Sequence, residues 1–297
     1  MIKEIFRKQD KTFSFEFYPP KNYQSTLELG VNIGKLVRLQ PTFVSVTYGA
    51  GGSNQDASFD LCDYMQNKIG WLCMAHYTCV NASRKKIEDD LDHLYDIGIR
   101  NLMLLRGDAP KGQEEYFSER SEFKYANEIV AIAKAQDRFC IGVAGYPESH
   151  VESPDDESDI FYLKQKVAAG GDFVVTQMFF DNDYYFDFVN RARVAGITQR
   201  IIPGIIPITN FKQIKKFSQI GGSNIPEWIC EKLAPYQDDK KKSYQIGVEI
   251  AIAQCEELLK NGAPGIHFYT LNKSEATLDI FTSISEELKK VAKQPVM

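Results

Sequence analysis

Apolar and polar positions along this chain follow two periods in turn, and the switching between them predicts its architecture. Eight short runs carry strand patterning: residues 13–18, 43–48, 71–79, 102–105, 139–144, 173–180, 200–207 and 265–272. Leu102 to Leu105 has no polar residue at all, the pattern of a strand covered on both faces, as in a parallel sheet packed under helices. The intervening stretches read as helices. Ser25 caps one that Pro41 ends, and another spans 55–67 before Gly70. Ser83 caps a third that Gly98 stops, and Ser121 starts a fourth that reaches about 136. After the acidic loop 152–157, Asp159, Tyr162, Leu163 and Lys166 fall on one helical face. Helices at 183–195 and from Asn210 follow, then a short one from Pro226, a longer one over 243–260 and a last one from Ser274. Eight strands, each followed by helix with no break in composition, are the count of a closed (β/α)8 TIM barrel forming one domain over 1–297. A doubly wound sheet is the second architecture compatible with this order.

Composition narrows the class of function. The chain has 297 residues, 43% hydrophobic and 25% charged, ordinary values for a protein with a sizeable core. A net charge of −5 argues against a nucleic-acid partner held by a basic surface. The one basic run, Lys240, Lys241 and Lys242, follows two aspartates and reads as a solvated loop or a helix start. The six cysteines form no C-x-x-C, and four lie in apolar surroundings, which favours a reducing compartment. The first 13 residues are charged throughout, and no stretch approaches the ~18 apolar residues of a membrane span. The expectation is a cytoplasmic protein without a membrane partner.

In parallel α/β folds, sites are built at the C-terminal ends of strands. Sorted that way, the polar residues are Glu16 on the first strand, Thr47 and Tyr48 ending the second, and His76 on the third. Arg106 and Asp108 follow the fourth, Tyr146 and His150 the fifth, and Gln177 lies on the sixth. Arg106-Gly107-Asp108 places a cation and an anion around a residue that lets backbone approach a ligand, or else forms a surface pair at a turn. The loop 49–54, Gly-Ala-Gly-Gly-Ser-Asn, can bring backbone N–H groups to an anion but is not G-x-G-x-x-G. Glu16 alternates with Phe13, Phe15 and Phe17; such a carboxylate is paired, hydrogen-bonded or protonated if it faces inward, and unremarkable if it faces solvent. Two acids among donors suit acid–base work on a polar heteroaromatic ligand. The four histidines lack metal-ligand spacing, so no metal is expected; His93 reads as a surface residue and His267 as packed in the last strand.

Eight segments, F-S-F-E-F-Y-P-P-K, V-T-Y-G-A-G-G, A-H-Y-T-C, L-R-G-D-A-P, G-Y-P-E-S-H, T-Q-M-F-F-D, I-P-G-I-I-P-I-T-N-F-K and H-F-Y-T-L-N-K, resemble in order the signature segments of the 5,10-methylenetetrahydrofolate reductase family in its short bacterial form. The resemblance implies a barrel that holds FAD and reduces 5,10-methylenetetrahydrofolate to 5-methyltetrahydrofolate with NADH or NADPH, in ping-pong order. It implies Glu16 as general acid and Asp108 as the acid near flavin and pterin. It carries FAD contacts onto Thr47, Tyr48, His76, Arg106, Gly107, Asp108, Tyr125, Ala126, Tyr146, His150, Asp159 and Lys166. Folate or nicotinamide contacts fall on Glu16, Gln177, Gln213, Phe217 and Lys273. Lys273 stands where the family usually has Arg, turning a bidentate grip on the folate glutamate tail into a point charge; Tyr162 and Gln165 occupy positions where relatives vary. The resemblance also implies a homo-oligomer without the C-terminal regulatory domain of longer relatives. Because ring opening delivers a proton to nitrogen, Glu16 is expected to carry a raised pKa. A partner protein as electron donor, and a non-catalytic folate- or flavin-binding subunit, remain the alternatives.

Overall fold

The structure is a computed structural model describing residues 1–48, 55–108 and 121–292, with side chains described to residue 285. The loop 49–54 read above as an anion cradle lies outside the described residues. Eight parallel strands close a barrel in sequence order: β1 (Thr12–Phe17), β2 (Phe43–Val46), β3 (Cys73–Thr78), β4 (Asn101–Leu105), β5 (Cys140–Gly145), β6 (Phe173–Met178), β7 (Arg200–Ile205) and β8 (Gly265–Tyr269). The seam between β1 and β8 pairs Ser14 with His267 and Glu16 with Tyr269. Closure rules out the doubly wound alternative, which leaves two sheet edges.

The helices are α1 (Ile2–Phe6), α2 (Tyr23–Leu36), α3 (Gln55–Asp63), α4 (Arg84–Asp96), α5 (Ala126–Ala135), α6 (Asp156–Ala168), α7 (Asn182–Val194), α8 (Phe211–Gly221), α9 (Glu227–Leu233), α10 (Lys240–Lys260) and α11 (Glu275–Ala292). Ser83 and Asn210 cap α4 and α8 as their sequence predicts, accepting from Lys86 N and Gln213 N. Ser25 does not start α2: Asn22 is the cap, and the Ser25 hydroxyl reaches back to it, so the two residues satisfy each other. Nor does Ser121 start α5. Glu128 accepts from the N–H groups of Lys124 and Tyr125, and this reciprocal bond sets the start at Ala126. The basic run opens α10, with Asp239 accepting from Lys242 N. β8 ends at Tyr269 because Leu271 and Asn272 turn left-handed, at φ 52° and 59°. No helix among the described residues is long and apolar enough to cross a membrane.

Two apolar layers hold the barrel. Outward-facing side chains such as Phe15, Phe17, Val44, Tyr77, Leu104 and Phe268 pack against the surrounding helices. Inward-facing Phe43, Met74, Met103, Cys140, Phe173, Val175 and Ile202 fill the N-terminal half of the lumen with Ile2 of α1. That five-residue helix closes the floor: Ile2 N donates to Asn101 Oδ1, and Phe6 meets Phe173 edge-on at 5.2 Å. Gly142 leaves room for the Phe173 ring, since a Cβ there would lie 2.8 Å from it. Along several strands the inward positions change from apolar to polar toward the C-terminal end, Phe43 to Ser45 and Met74 to His76. The floor is packed and the mouth is chemical.

Candidate active site

Glu16 points into the lumen, while Phe13, Phe15 and Phe17 turn to the helices; Phe13 and Phe15 meet Phe281 of α11 edge-on, and Phe17 stacks on Trp71. Its Oε2 lies 3.4 Å from His76 Nε2 and 3.5 Å from His267 Nε2, and accepts from the Ser45 hydroxyl at 3.4 Å. Behind His267, its Nδ1 shares a 2.7 Å hydrogen bond with Ser14 Oγ, which orients the imidazole. Burial pushes the Glu16 carboxyl up, but His267, the charge of His76 and Ser45 outweigh it, and the net shift is below the ordinary carboxylate range. The raised value expected from the sequence is therefore not found, because the aromatic face of the strand is not the face Glu16 occupies. Burial holds His76 below the usual imidazole value despite Glu16. Among the described residues His76 Nε2 makes no hydrogen bond, and neither does the buried Thr78 Oγ1 two residues on.

The backbone over this acid is over-determined. Thr270 Oγ1 donates to Glu16 O at 2.5 Å, and Asn272 bonds both the N–H and the carbonyl of Tyr18. Those bonds hold two successive non-glycine residues in the left-handed region, the kind of local strain that collects at functional sites. Lys273 follows them, exposed at the rim.

A second region opens beyond β4 and β5. A cavity of about 500 Å³ is lined by Arg106, Tyr125, Ala126, Tyr146, His150, Glu152, Asp159, Tyr162 and Lys166 among others. Lys166 Nζ donates to Ala144 O at 2.6 Å and sits 5.5 Å from the Tyr146 ring centre. Burial, only partly offset by Asp159, pulls the Lys166 amine down to about 8. Burial likewise raises Asp159, against the pull of Lys166 and of the His150 N–H that it accepts at 3.2 Å. His150 meets Tyr146 edge-on at 4.7 Å, and burial lowers its pKa. Arg106 grips Glu152 with two bonds of 2.6 and 2.7 Å, an ion pair that the sequence did not single out. Gly107 has φ 85°, and a Cβ there would lie 2.8 Å from Val80, so the corner tolerates only glycine.

Seven of the expected cofactor positions thus share one cavity: Arg106, Tyr125, Ala126, Tyr146, His150, Asp159 and Lys166. His76 stands in the lumen instead, and Asp108 is exposed at the end of β4. Thr47 follows β2, its carbonyl taken by Ser58, and the Tyr48 ring turns outward onto Phe59 and Tyr77, which leaves its backbone at that corner. Gln177 lies on β6, its side-chain oxygen accepting from Met178 N. Gln213 and Phe217 share α8, Phe217 packing on the cluster of Met178, Phe180 and Phe211. His267 is packed as expected, yet it also touches Glu16. With Ser14 and Ser45 it was not singled out as part of the site, although the shared strand parity of Ser14 with Glu16 and of His267 with Tyr269 was available as a signal.

A profile of the methylenetetrahydrofolate reductase family matches residues 1–285. The 5,10-methylenetetrahydrofolate reductase of Escherichia coli is 37% identical over 267 residues, covering 90% of this chain and 88% of that protein. Methylenetetrahydrofolate reductase (NADH) 1 of Arabidopsis thaliana is 36% identical over 294 residues; the chain spans about half the length of this plant relative, 50%, and 95% of the chain is covered. Among solved structures, a protein from Clostridium thermocellum that binds two copies of 5-methyl-5,6,7,8-tetrahydrofolic acid superposes with a TM-score of 0.67 over 97% of this chain and 98% of that one, at 13% identity, a likeness of fold. With a closed barrel, a family profile spanning nearly all of its length and a bacterial relative aligned almost end to end, the chain belongs to the methylenetetrahydrofolate reductase family.

Proposed function

We propose that this chain reduces 5,10-methylenetetrahydrofolate to 5-methyltetrahydrofolate with NADH or NADPH, holding FAD in the cavity beside the barrel mouth and working in ping-pong order. The observation that carries the reading is the carboxylate of Glu16, fixed in the barrel lumen by two histidines and a serine. The residues fit the cofactor. A lysine amine buried in a cavity of about 500 Å³ suits a diphosphate, and Arg106, paired with Glu152, adds positive charge to the same wall. His76 Nε2, which faces Glu16 without a hydrogen bond among the described residues, and the glycine corner at Gly107 offer a donor or acceptor and a close backbone edge to a flat ring.

FAD, when bound, supplies the redox step, taking hydride from reduced nicotinamide and giving it to the folate one-carbon unit. The chain supplies placement and the proton. Lys166 and Arg106 hold phosphate, Tyr125, Ala126, Tyr146, His150 and Asp159 line its path, and Thr47, Tyr48, His76, Gly107 and Asp108 frame the ring. Gln177, Gln213 and Phe217 orient folate and nicotinamide, and Lys273 meets the glutamate tail. Glu16 rests ionised in the open barrel. A pterin seated over the mouth dries it further and strengthens the burial that already opposes ionisation, so that Glu16 takes up a proton and returns it to the ring nitrogen as the five-membered ring opens.

The visible spectrum of the purified chain tests the reading directly. Added FAD should give a flavin spectrum, NADH or NADPH should bleach it without oxygen, and methylenetetrahydrofolate should restore it. A protein that takes up no flavin, or whose reduced flavin ignores the folate, would overturn the proposal.

A further inference from the structure

The segment G-Y-P-E-S-H after β5 gives Tyr146 and His150 to the cavity beside the barrel mouth, but its acid, Glu148, is not among the residues that line that cavity. Glu148 turns the other way. Its Oε2 accepts the N–H of Asn224 at 2.7 Å, whereas its Oε1 is buried and has no hydrogen-bond partner among the described residues. Asn224 belongs to the turn that ends α8, and that turn is packed on both sides. On one side Gly222, at φ 74°, lies so close to the β5–α6 loop that a Cβ there would come within 2.6 Å of Val151. On the other, a Cβ at Gly221 would lie 3.4 Å from Gln177 Nε2, and Ser223 Oγ donates to Met178 O at 2.6 Å. The Glu148–Asn224 bond therefore joins the loop that carries Tyr146 and His150 to the turn that abuts Gln177 and closes the helix of Gln213 and Phe217.

The surroundings of Glu148 are acidic. Asp181, Asp183 and Asp187 at α7 and Asp156 of α6 line the same open depression. The cation among them, Arg191, is bound to Asp187 at 2.6 Å and to the Pro147 carbonyl at 3.3 Å, and lies 3.9 Å from Asp156. The turn opposite, residues 221–226, brings no charged side chain. Burial, with the charge of Asp181 added, pushes the Glu148 carboxyl up to about 7 against the pull of the Asn224 N–H. A neutral carboxyl keeps that bond without electrostatic cost. An ionised one has a buried oxygen that lacks a donor and faces like charge; turning that oxygen to water relieves both and releases Asn224. We propose that the Glu148–Asn224 bond is a proton-operated joint between the two halves of the site, closed while Glu148 keeps its proton and opened by its loss, which makes Glu148 a positioning residue for the folate contacts. The consequence for folate rests on the roles proposed above for Gln177, Gln213 and Phe217; the joint itself does not.

Amide exchange of the turn 221–225 in the full chain, without added ligand, tests the joint when followed from about pH 6 to about pH 9 as protection factors, so that the intrinsic pH dependence of exchange cancels. Protection in the wild type should fall by up to about tenfold per unit above pH 7, because the protonated fraction falls at that rate. Glu148→Gln, which stays neutral, should keep its protection across the range. Thermal unfolding reads the same group through its sign. The folded chain keeps this proton to about 7 and the unfolded chain loses it near 4.5, so the wild type should lose stability relative to Glu148→Gln as pH rises through that window. Wild-type protection that is flat with pH, or that falls equally in Glu148→Gln, would overturn the joint. In the flavin-loaded chain the KM for methylenetetrahydrofolate should rise above pH 7 in the wild type and not in the variant, at equal flavin content. KM profiles that coincide while the turn opens would overturn the positioning role. A chain that takes up no flavin yet opens its turn with pH would support the joint and sink the reading of the site instead.

Discussion

The lumen around Glu16 and the cavity around Lys166 both bury charge, and they resolve it in opposite ways. Around Glu16, two imidazoles and a hydroxyl converge on one carboxylate oxygen, so that the acid sits below its ordinary range although burial alone would raise it. Around Lys166, the amine meets a carbonyl and the charge of Asp159, and burial wins on both sides: the lysine falls to about 8 and the aspartate rises. Depth is therefore not what sets protonation here; the number of polar neighbours aimed at the charge is. In the lumen three side chains face one carboxylate, whereas in the cavity the Lys166 amine spends one of its three donors on the Ala144 carbonyl.

The largest expected effect separates the two regions by mechanism. Glu16→Gln should slow flavin reoxidation by methylenetetrahydrofolate roughly 10²–10⁴-fold and spare flavin reduction by NADH or NADPH, because only the folate step needs a proton from the lumen. Stopped-flow traces of the two half-reactions decide it, and equal damage to both would make Glu16 a structural residue. Next in size, Lys166→Ala should raise the dissociation constant for FAD by about ten- to a hundredfold, the loss of a charged hydrogen bond, while the flavin-saturated variant still turns over. Fluorescence titration measures this, and unchanged affinity would break the contrast, leaving the cavity without its anion role.

A smaller effect follows from pH. Burial pulls the Lys166 amine down to about 8, so FAD affinity should fall by up to about tenfold per unit above that value. The sign for stability is the reverse. In the unfolded chain the amine keeps its proton up to the usual 10.5, so between about 8 and 10.5 the unfolded state binds more protons and the ligand-free protein gains stability from this group as pH rises. Titrations across that range in wild type and Lys166→Arg separate this group from other amines. The smallest effect belongs to His267→Asn, which removes one neighbour of Glu16 and should raise its pKa. Glu16 stabilises the fold when ionised, and that contribution is lost as pH falls through its depressed folded value. The variant should therefore begin acid unfolding at higher pH, and the loss of its folate half-reaction with rising pH should move to higher pH, since Glu16 acts there in its protonated form. Profiles that superpose on wild type would show that His76 and Ser45 hold the acid alone.

Local patterning was enough for much of this molecule. Period-two and unbroken apolar runs located all eight strands, because the face a strand residue occupies is set by parity along its own backbone. Ser83 and Asn210 were readable as caps because a side chain and an N–H three residues on lie within one turn. Asn22 and Ser25 defeat the same rule, since both ends of one reciprocal box carry a capping group. Helix α1 escaped because five residues give too short a window for any periodicity, and its role, to close the barrel floor through Ile2, exists only once Asn101 is in place 99 residues away.

The chain by itself determined which residues face inward and that polar groups gather at one end of the strands. Which of those groups touch was decided only by closure. Ser14 meets His267 across 253 residues because β1 and β8 become neighbours when the last strand completes the ring, and that seam brings a second imidazole to Glu16. The direction of the Glu16 shift went with it. A carboxylate among aromatic residues reads as an acid held neutral by apolar surroundings, but the aromatics face the helices and the imidazoles face the acid, and electrostatic energy depends on distances that no pattern along the chain contains.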